Sequence, residues 1–186
     1  MSHAPTAALE HRHRIIRDDL SARSLDALVV TALPNILYLT NFTGSTAIAV
    51  VTPARVHFLT DFRYVTALAD SRGTAHECPN LDLVTVEGSY DASLAGLLAS
   101  LNPAQGSGPA MRIGFEAAHL TVSRHTWLVD ALARHGSPHT LVATEGVVEH
   151  ARVRKDDYEI ATLREAARSR SPVSYTHLTL PTILRV

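Results

Sequence analysis

A succession of short apolar, β-branched runs, each separated from the next by a segment with helical spacing, constrains this chain more than any other feature. Residues 25–31 (LDALVVT) are too short for a helix and rich in Val and Leu, so they read as a buried strand. Before them, Leu9, His13, Ile16 and Leu20 share one face of a helix predicted over residues 6–23. Pro34 opens a brief helical turn through Tyr38 and Leu39 that Gly44 ends. Strands at 47–52 and 56–60 flank a Pro53-Ala54-Arg55 turn, and Asp61 starts a helix that reaches 71. Strands are predicted at 75–78 and 83–87. A helix over 90–101 follows, with Leu94, Leu97, Leu98 and Leu101 on one face. A breaker loop at 103–109 (PAQGSGP) leads to a strand at 112–116, a helix at 121–134 and a strand at 139–143. So many apolar strands need cover on both faces, which gives an α/β fold: a mixed β-sheet flanked by helices.

Composition narrows the function classes. The chain is 46% hydrophobic and 19% charged, a globular balance, and its net charge of −1 draws it to neither nucleic acid nor an anionic membrane. No apolar run approaches the ~20 residues of a membrane span, and residues 1–14 lack the apolar core of a signal peptide. The expectation is a cytoplasmic protein. Cys78 is the only cysteine, so neither an internal disulfide nor a thiolate metal cluster can form.

Metal and nucleophile motifs are missing. His11 and His13 are two apart on a helix and face apart; His119 and His125 share no face; His135 and His139 flank a loop. No H-x-x-x-H, H-E-x-x-H, G-x-S-x-G or G-x-x-x-x-G-K-[ST] occurs, and Gly106-Ser107-Gly108 is too short for a phosphate loop. Glu116 would need a second carboxylate or a metal to act as a catalyst, and the sequence offers neither.

Asp156, Asp157, Tyr158 and Glu159 have the capping-box form, and Ile160, Leu163 and Ala167 continue an apolar helical face. A domain boundary is expected near 152–155. Residues 173–182 (VSYTHLTLPT) can be written GTC TCT TAT ACA CAT CTG ACG CTG CCG ACG, which resembles a transposon-end adapter used in sequencing libraries. On that reading the natural frame leaves this sequence near Arg170, and residues 171–186 are excluded from fold reasoning. The alternative is a natural β-strand, since Thr, Tyr, Val and Leu favour strands.

Four blocks carry a family resemblance. Residues 31–45 (TALPNILYLTNFTGS) resemble the first block of the creatinase/prolidase N-terminal domain, and 60–64 (TDFRY) its "TDGRY" block. Residues 113–116 (IGFE) and 154–160 (RKDDYEI) resemble its "IGFE" strand and its "K(D/S)xxEI" entry into the catalytic domain. They follow the family order across roughly residues 9–168. Phe62 departs from the pattern, standing where the family has Gly.

The resemblance implies a creatinase-type N-terminal domain over 1–152, with a ribonuclease H-like sheet. The first helix of a truncated catalytic domain would then occupy 153–170. In Xaa-Pro aminopeptidases, Xaa-Pro dipeptidases and creatinases that second domain has the pita-bread fold. It holds two divalent metal ions, such as Mn²⁺, through two Asp, one His and two Glu. None of those ligands falls in this chain, which is expected to hold no cofactor and to be inactive alone. Its role would be oligomer contacts and substrate access, as a homo-oligomer acting on peptides, with no nucleic acid or membrane partner. The alternative is a stand-alone, non-catalytic interaction module.

Asp61, Arg63 and Tyr64 are the candidate site residues. By their chemistry alone, Asp61 caps a helix and Arg63 pairs with a carboxylate. By the resemblance, they line a neighbouring subunit's active site. Asn35 suits a turn and Tyr38 a core edge.

Overall fold

The computed structural model describes residues 3–101 and 110–178, with side chains through residue 168. The loop expected at 103–109 and the tail beyond 178 lie outside the described residues. The described chain divides into two compact units, His3–Val153 and the part from Arg154 onward.

The first unit is a six-stranded sheet in the order β4-β3-β2-β1-β5-β6. Its strands are β1 (Ala27–Val30), β2 (Ile48–Val51), β3 (Val56–Asp61), β4 (Leu81–Val86), β5 (Arg112–Glu116) and β6 (Thr140–Thr144). Only β2 runs against its neighbours; β1, β3, β4, β5 and β6 are all parallel. Helices α1 (Thr6–Ala22), α2 (Leu33–Thr40), α3 (Phe62–Ser71) and α6 (Val147–Val153) cover one face, and α4 (Tyr90–Ser100) and α5 (Val122–Arg134) the other.

The sequence accounts for these elements locally. Leu9, His13, Ile16 and Leu20 form the buried stripe of α1 as their spacing requires. Asp61, Ser89 and Thr121 each cap a helix by accepting a backbone N–H with the side chain. The β1 run ALVV is buried on both sides, as an interior strand must be. On the first face Ile16, Ile36 and Leu39 meet Leu28, Val30 and Phe58; on the second Leu94, Leu98 and Leu128 meet Val29, Leu59 and Ile113.

Three expectations need correction. Residues 75–78 form no strand: Gly73 at φ 72° and hydrogen bonds from Thr74 N to Ser71 O and Glu77 N to Thr74 O turn the chain instead. Helix α2 stops at Asn41, in the left-handed region at φ 62°, and not at Gly44. Gly44 serves close packing: a Cβ there would lie 2.2 Å from Phe42 Cζ and 2.7 Å from Tyr64 Cε1. Helix α6 occupies residues assigned no element, just ahead of the expected boundary.

The second unit is helix α7 (Asp157–Leu178). Glu159 N donates to Asp156 Oδ1 at 2.8 Å and Asp156 N donates to Glu159 Oε2 at 3.2 Å, the reciprocal capping box. The helical backbone continues through Leu178, where strand propensity would have favoured an extended chain. Among the described residues no helix is long and apolar enough to cross a membrane.

Candidate functional site

Five parallel strands end at one edge of the sheet, and their carboxyl ends place Asp61 (β3) and Glu116 (β5) along it. At Asp61 the chain turns directly into α3. The carboxylate accepts Arg63 N at 3.1 Å and Arg63 Nε at 2.8 Å on Oδ1, and Arg63 Nη2 at 2.7 Å on Oδ2. Cap and ion pair are therefore one planar fork, available because Asp and Arg stand two apart across a helix start. Tyr90, the first residue of α4, completes it: its hydroxyl donates to Asp61 Oδ2 at 2.9 Å and accepts Asp61 N at 3.1 Å.

These contacts set the charges. The Arg63 hydrogen bonds, aided by Tyr90, hold the Asp61 carboxyl well below the usual carboxylate range, and Asp61 in turn raises Arg63. Partial burial, followed by the bond to Asp61, raises Tyr90. Hydrogen bonds from Ser45 lower Tyr64: Ser45 N donates to its hydroxyl at 3.1 Å and Ser45 Oγ lies 3.0 Å away. The Arg63 side chain remains 55% exposed, and its Nη1 has no partner among the described residues. The arrangement is a clamped cation with one free edge, able to donate to a carbonyl or anionic oxygen brought to this rim. Phe62, 77% exposed, stands beside it. A cleft of about 320 Å³ opens next to Tyr90, lined also by Thr31, Ser45, Thr46 and the Asp91–Arg124 ion pair.

Glu116 has a different task. Its Oε2 accepts Thr31 N at 2.7 Å and Ala32 N at 2.8 Å, and its Oε1 accepts Asn35 Nδ2 at 2.6 Å. It anchors the start of α2 and is buried. Asn35 Nδ2 also donates to Glu149 Oε1 at 2.6 Å, while Arg152 Nη1 donates to Asn35 Oδ1 at 2.8 Å. Glu116 thus gains the carboxylate neighbour that the sequence did not offer, through a shared amide. Asn35 is no turn residue; it lies buried in the first turn of α2 and ties β5 to α6. Tyr38 is buried, with its ring 4.3 Å from the Arg12 guanidinium carbon.

The structure joins Asp61 and Arg63 in a fork, sets the Arg63 guanidinium carbon 5.3 Å from the Tyr64 ring centroid, and separates Glu116 from them as an anchor. Tyr90, Ser45, Glu149 and Arg152 escaped the sequence reading. Only the β3–β4 register, which sets Asp61 opposite Val86 and brings the β4–α4 turn alongside, points to Tyr90. Among the described residues no group of three or more His, Cys, Asp or Glu could hold a metal ion. The nearest carboxylates do not fit one either, since Glu116 spends its oxygens on backbone N–H groups and Asn35.

A sheet with a single reversed strand, helices on both faces and an acid–arginine fork at its carboxyl rim defines an α/β domain of mixed-sheet type. The chain belongs to the creatinase/prolidase N-terminal domain family, whose model matches residues 12–154. It is 26% identical over 153 residues to the uncharacterized peptidase YqhT of Bacillus subtilis (strain 168), covering 82% of this chain and 38% of that one. Among solved structures it is similar to the Xaa-Pro dipeptidase from Bacillus anthracis, with 25% identity and a TM-score of 0.67 over 84% of this chain and 39% of the other. It is also similar to the N-terminal domain of the cytoplasmic peptidase PepQ from Mycobacterium tuberculosis H37Rv: 28% identity and a TM-score of 0.62, over 76% and 98% of the two chains. The chain thus spans well under half the length of the two longer relatives.

Proposed function

We propose that this chain is the non-catalytic N-terminal part of a cytoplasmic Xaa-Pro peptidase, which assembles as a homo-oligomer and governs substrate access. Hydrolysis, and the two divalent metal ions that the family resemblance implies, belong on this reading to a further domain. The carrying observation is the Asp61–Arg63–Tyr90 cluster: a half-exposed cation forked onto the Asp61 carboxylate, which Tyr90 holds in turn. A side-on fork leaves Nη1 free in any such pair; what supports the reading is that this free donor stands exposed at the carboxyl ends of the strands.

The test uses the longer product of the genomic locus. Arg63→Ala should lower Xaa-Pro cleavage, while the melting temperature stays close to that of the parent. A surface Arg without structural duty changes stability by about 0.5 kcal/mol or less. A large drop in melting temperature, with activity per folded molecule unchanged, would reduce Arg63 to a helix-cap partner. A locus that encodes no peptidase domain would remove the reading altogether.

A further inference from the structure

Strand β4 stands at the end of the sheet, hydrogen-bonded on one side only. Its parallel pairing with β3 fixes which side each peptide group faces. Val56 N donates to Asn80 O, and Val56 is registered with Leu81. Alternate residues of a strand point their N–H and C=O the same way, so residues 80, 82, 84 and 86 face β3. Leu81, Leu83 and Thr85 then present both N–H and C=O to the open side, with no partner among the described residues. The usual protections of an edge are missing from β4: it has no Pro, no Lys and no bulge. Its one charge, Asp82, is engaged by His57 Nδ1 at 3.0 Å.

We propose that β4 pairs antiparallel with β4 of a second copy of this chain, joining two six-stranded sheets across a two-fold axis at Leu83. The edge is complementary to itself in that register, backbone group for backbone group and without facing like charges. Leu83 faces Leu83 of the second copy, and Leu81 faces Thr85, so every open N–H meets an open C=O. With two bonds per facing pair and three pairs, the six residues leave no outward group unpaired. Asp82 falls opposite Val84 and not opposite its own copy, which avoids facing like charges. Leu81 and Leu83 are half-buried under α3, a helix with no fully buried residue, so pairing also completes the cover of an open apolar border. The opposite edge is a poorer template. In β6, Thr140 N donates to Met111 O, which leaves only Leu141 and Ala143 facing outward.

This inference deepens the oligomer part of the proposed function, and its test separates the two. Sedimentation of the 186-residue chain over a dilution series should show a reversible dimer. Thr85→Pro deletes an outward N–H in each copy and leaves the β3 side of the ladder intact, because Thr85 is exposed and its peptide faces away from β3. Two lost hydrogen bonds at about 1 kcal/mol each should weaken the dimer about 30-fold or more. Ala143→Pro, the matching change on β6, should leave the dimer intact and controls for fold. A chain that dimerises with Thr85→Pro as tightly as without it overturns the β4 surface while keeping the oligomer. A chain that stays monomeric throughout overturns the β4 pairing, and leaves the assembly of the longer product to its own sedimentation. If Thr85→Pro shifts the urea midpoint of unfolding, the parent chain decides: its outward-facing Leu81, Leu83 and Thr85 amides must gain protection from hydrogen exchange as concentration rises through the dimer midpoint, or the inference fails.

Discussion

His13 shows how one buried ring can set the acid sensitivity of the whole unit. It is 1% exposed, and its Nε2 donates to Leu39 O at 2.7 Å, because a carbonyl can only accept. Nδ1 is then the bare nitrogen, and it has no partner among the described residues. Burial, partly offset by the Leu39 bond and reinforced by Arg17 and Arg12, lowers the ring from 6.5 to about 4. The folded state thus holds neutral imidazole while the unfolded chain takes up a proton below pH 6.5. Stability from this residue is complete above 6.5 and is lost as pH falls toward 4, by roughly 3 kcal/mol across the interval. His139, also lowered by burial, adds in the same direction. Urea unfolding at pH 7 and pH 5 should show the loss, and His13→Gln, which keeps a donor for Leu39 O and cannot titrate, should flatten most of it. An unchanged pH dependence in that variant would place the effect elsewhere. Glu116→Ala is expected to cost about 3 kcal/mol in the same assay, since it strands the Thr31 and Ala32 N–H groups and half of the Asn35 amide.

At the scale of elements, the legible features were those whose cause is local. The α1 stripe, the Asp61 cap and the Asp156–Glu159 box are each written within a few residues, and the structure forms all three. The short strands β1, β2, β3 and β5 were legible because buried β-branched runs have few other uses. What failed depended on distance. Residues 75–78 are the exception: they look like a strand until Gly73 and the hydrogen bonds of Thr74 N to Ser71 O and Glu77 N to Thr74 O turn the chain there. Helix α6 is only seven residues long and is held by Glu149 and Arg152 reaching Asn35, more than a hundred residues earlier. The candidate site divides in the same way. Asp61 and Arg63 could be paired from sequence because they are two apart, whereas Tyr90 reaches Asp61 only through strand register.

For the molecule as a whole, the two compact units differ in how they are held. The unit His3–Val153 buries a layer on each face of its sheet, with Phe58, Leu28, Leu39, Leu94 and Ile113 fully enclosed. Opening it requires global unfolding, so its peptide bonds are protected by most of the stability of the domain. Among its described side chains helix α7 has no comparable core: residues 161–168 are all exposed, and Leu163, on its apolar stripe, is 57% exposed. A capping box contributes about 1 kcal/mol, too little by itself to hold the exposed turns of residues 161–168. Brief trypsin treatment of the 186-residue chain should therefore cut first at Arg154, Lys155, Arg164 and Arg168. It should leave a resistant fragment ending near Val153 that keeps the unfolding midpoint of the intact chain. Arg17 and Arg124, bound within the folded unit, should be cut only under denaturing conditions. Early cleavage within residues 6–100 would show that the sheet unit opens locally. A midpoint that falls sharply on loss of the C-terminal segment would show that α7 contributes to the stability of that unit, against the separate accounting of the two.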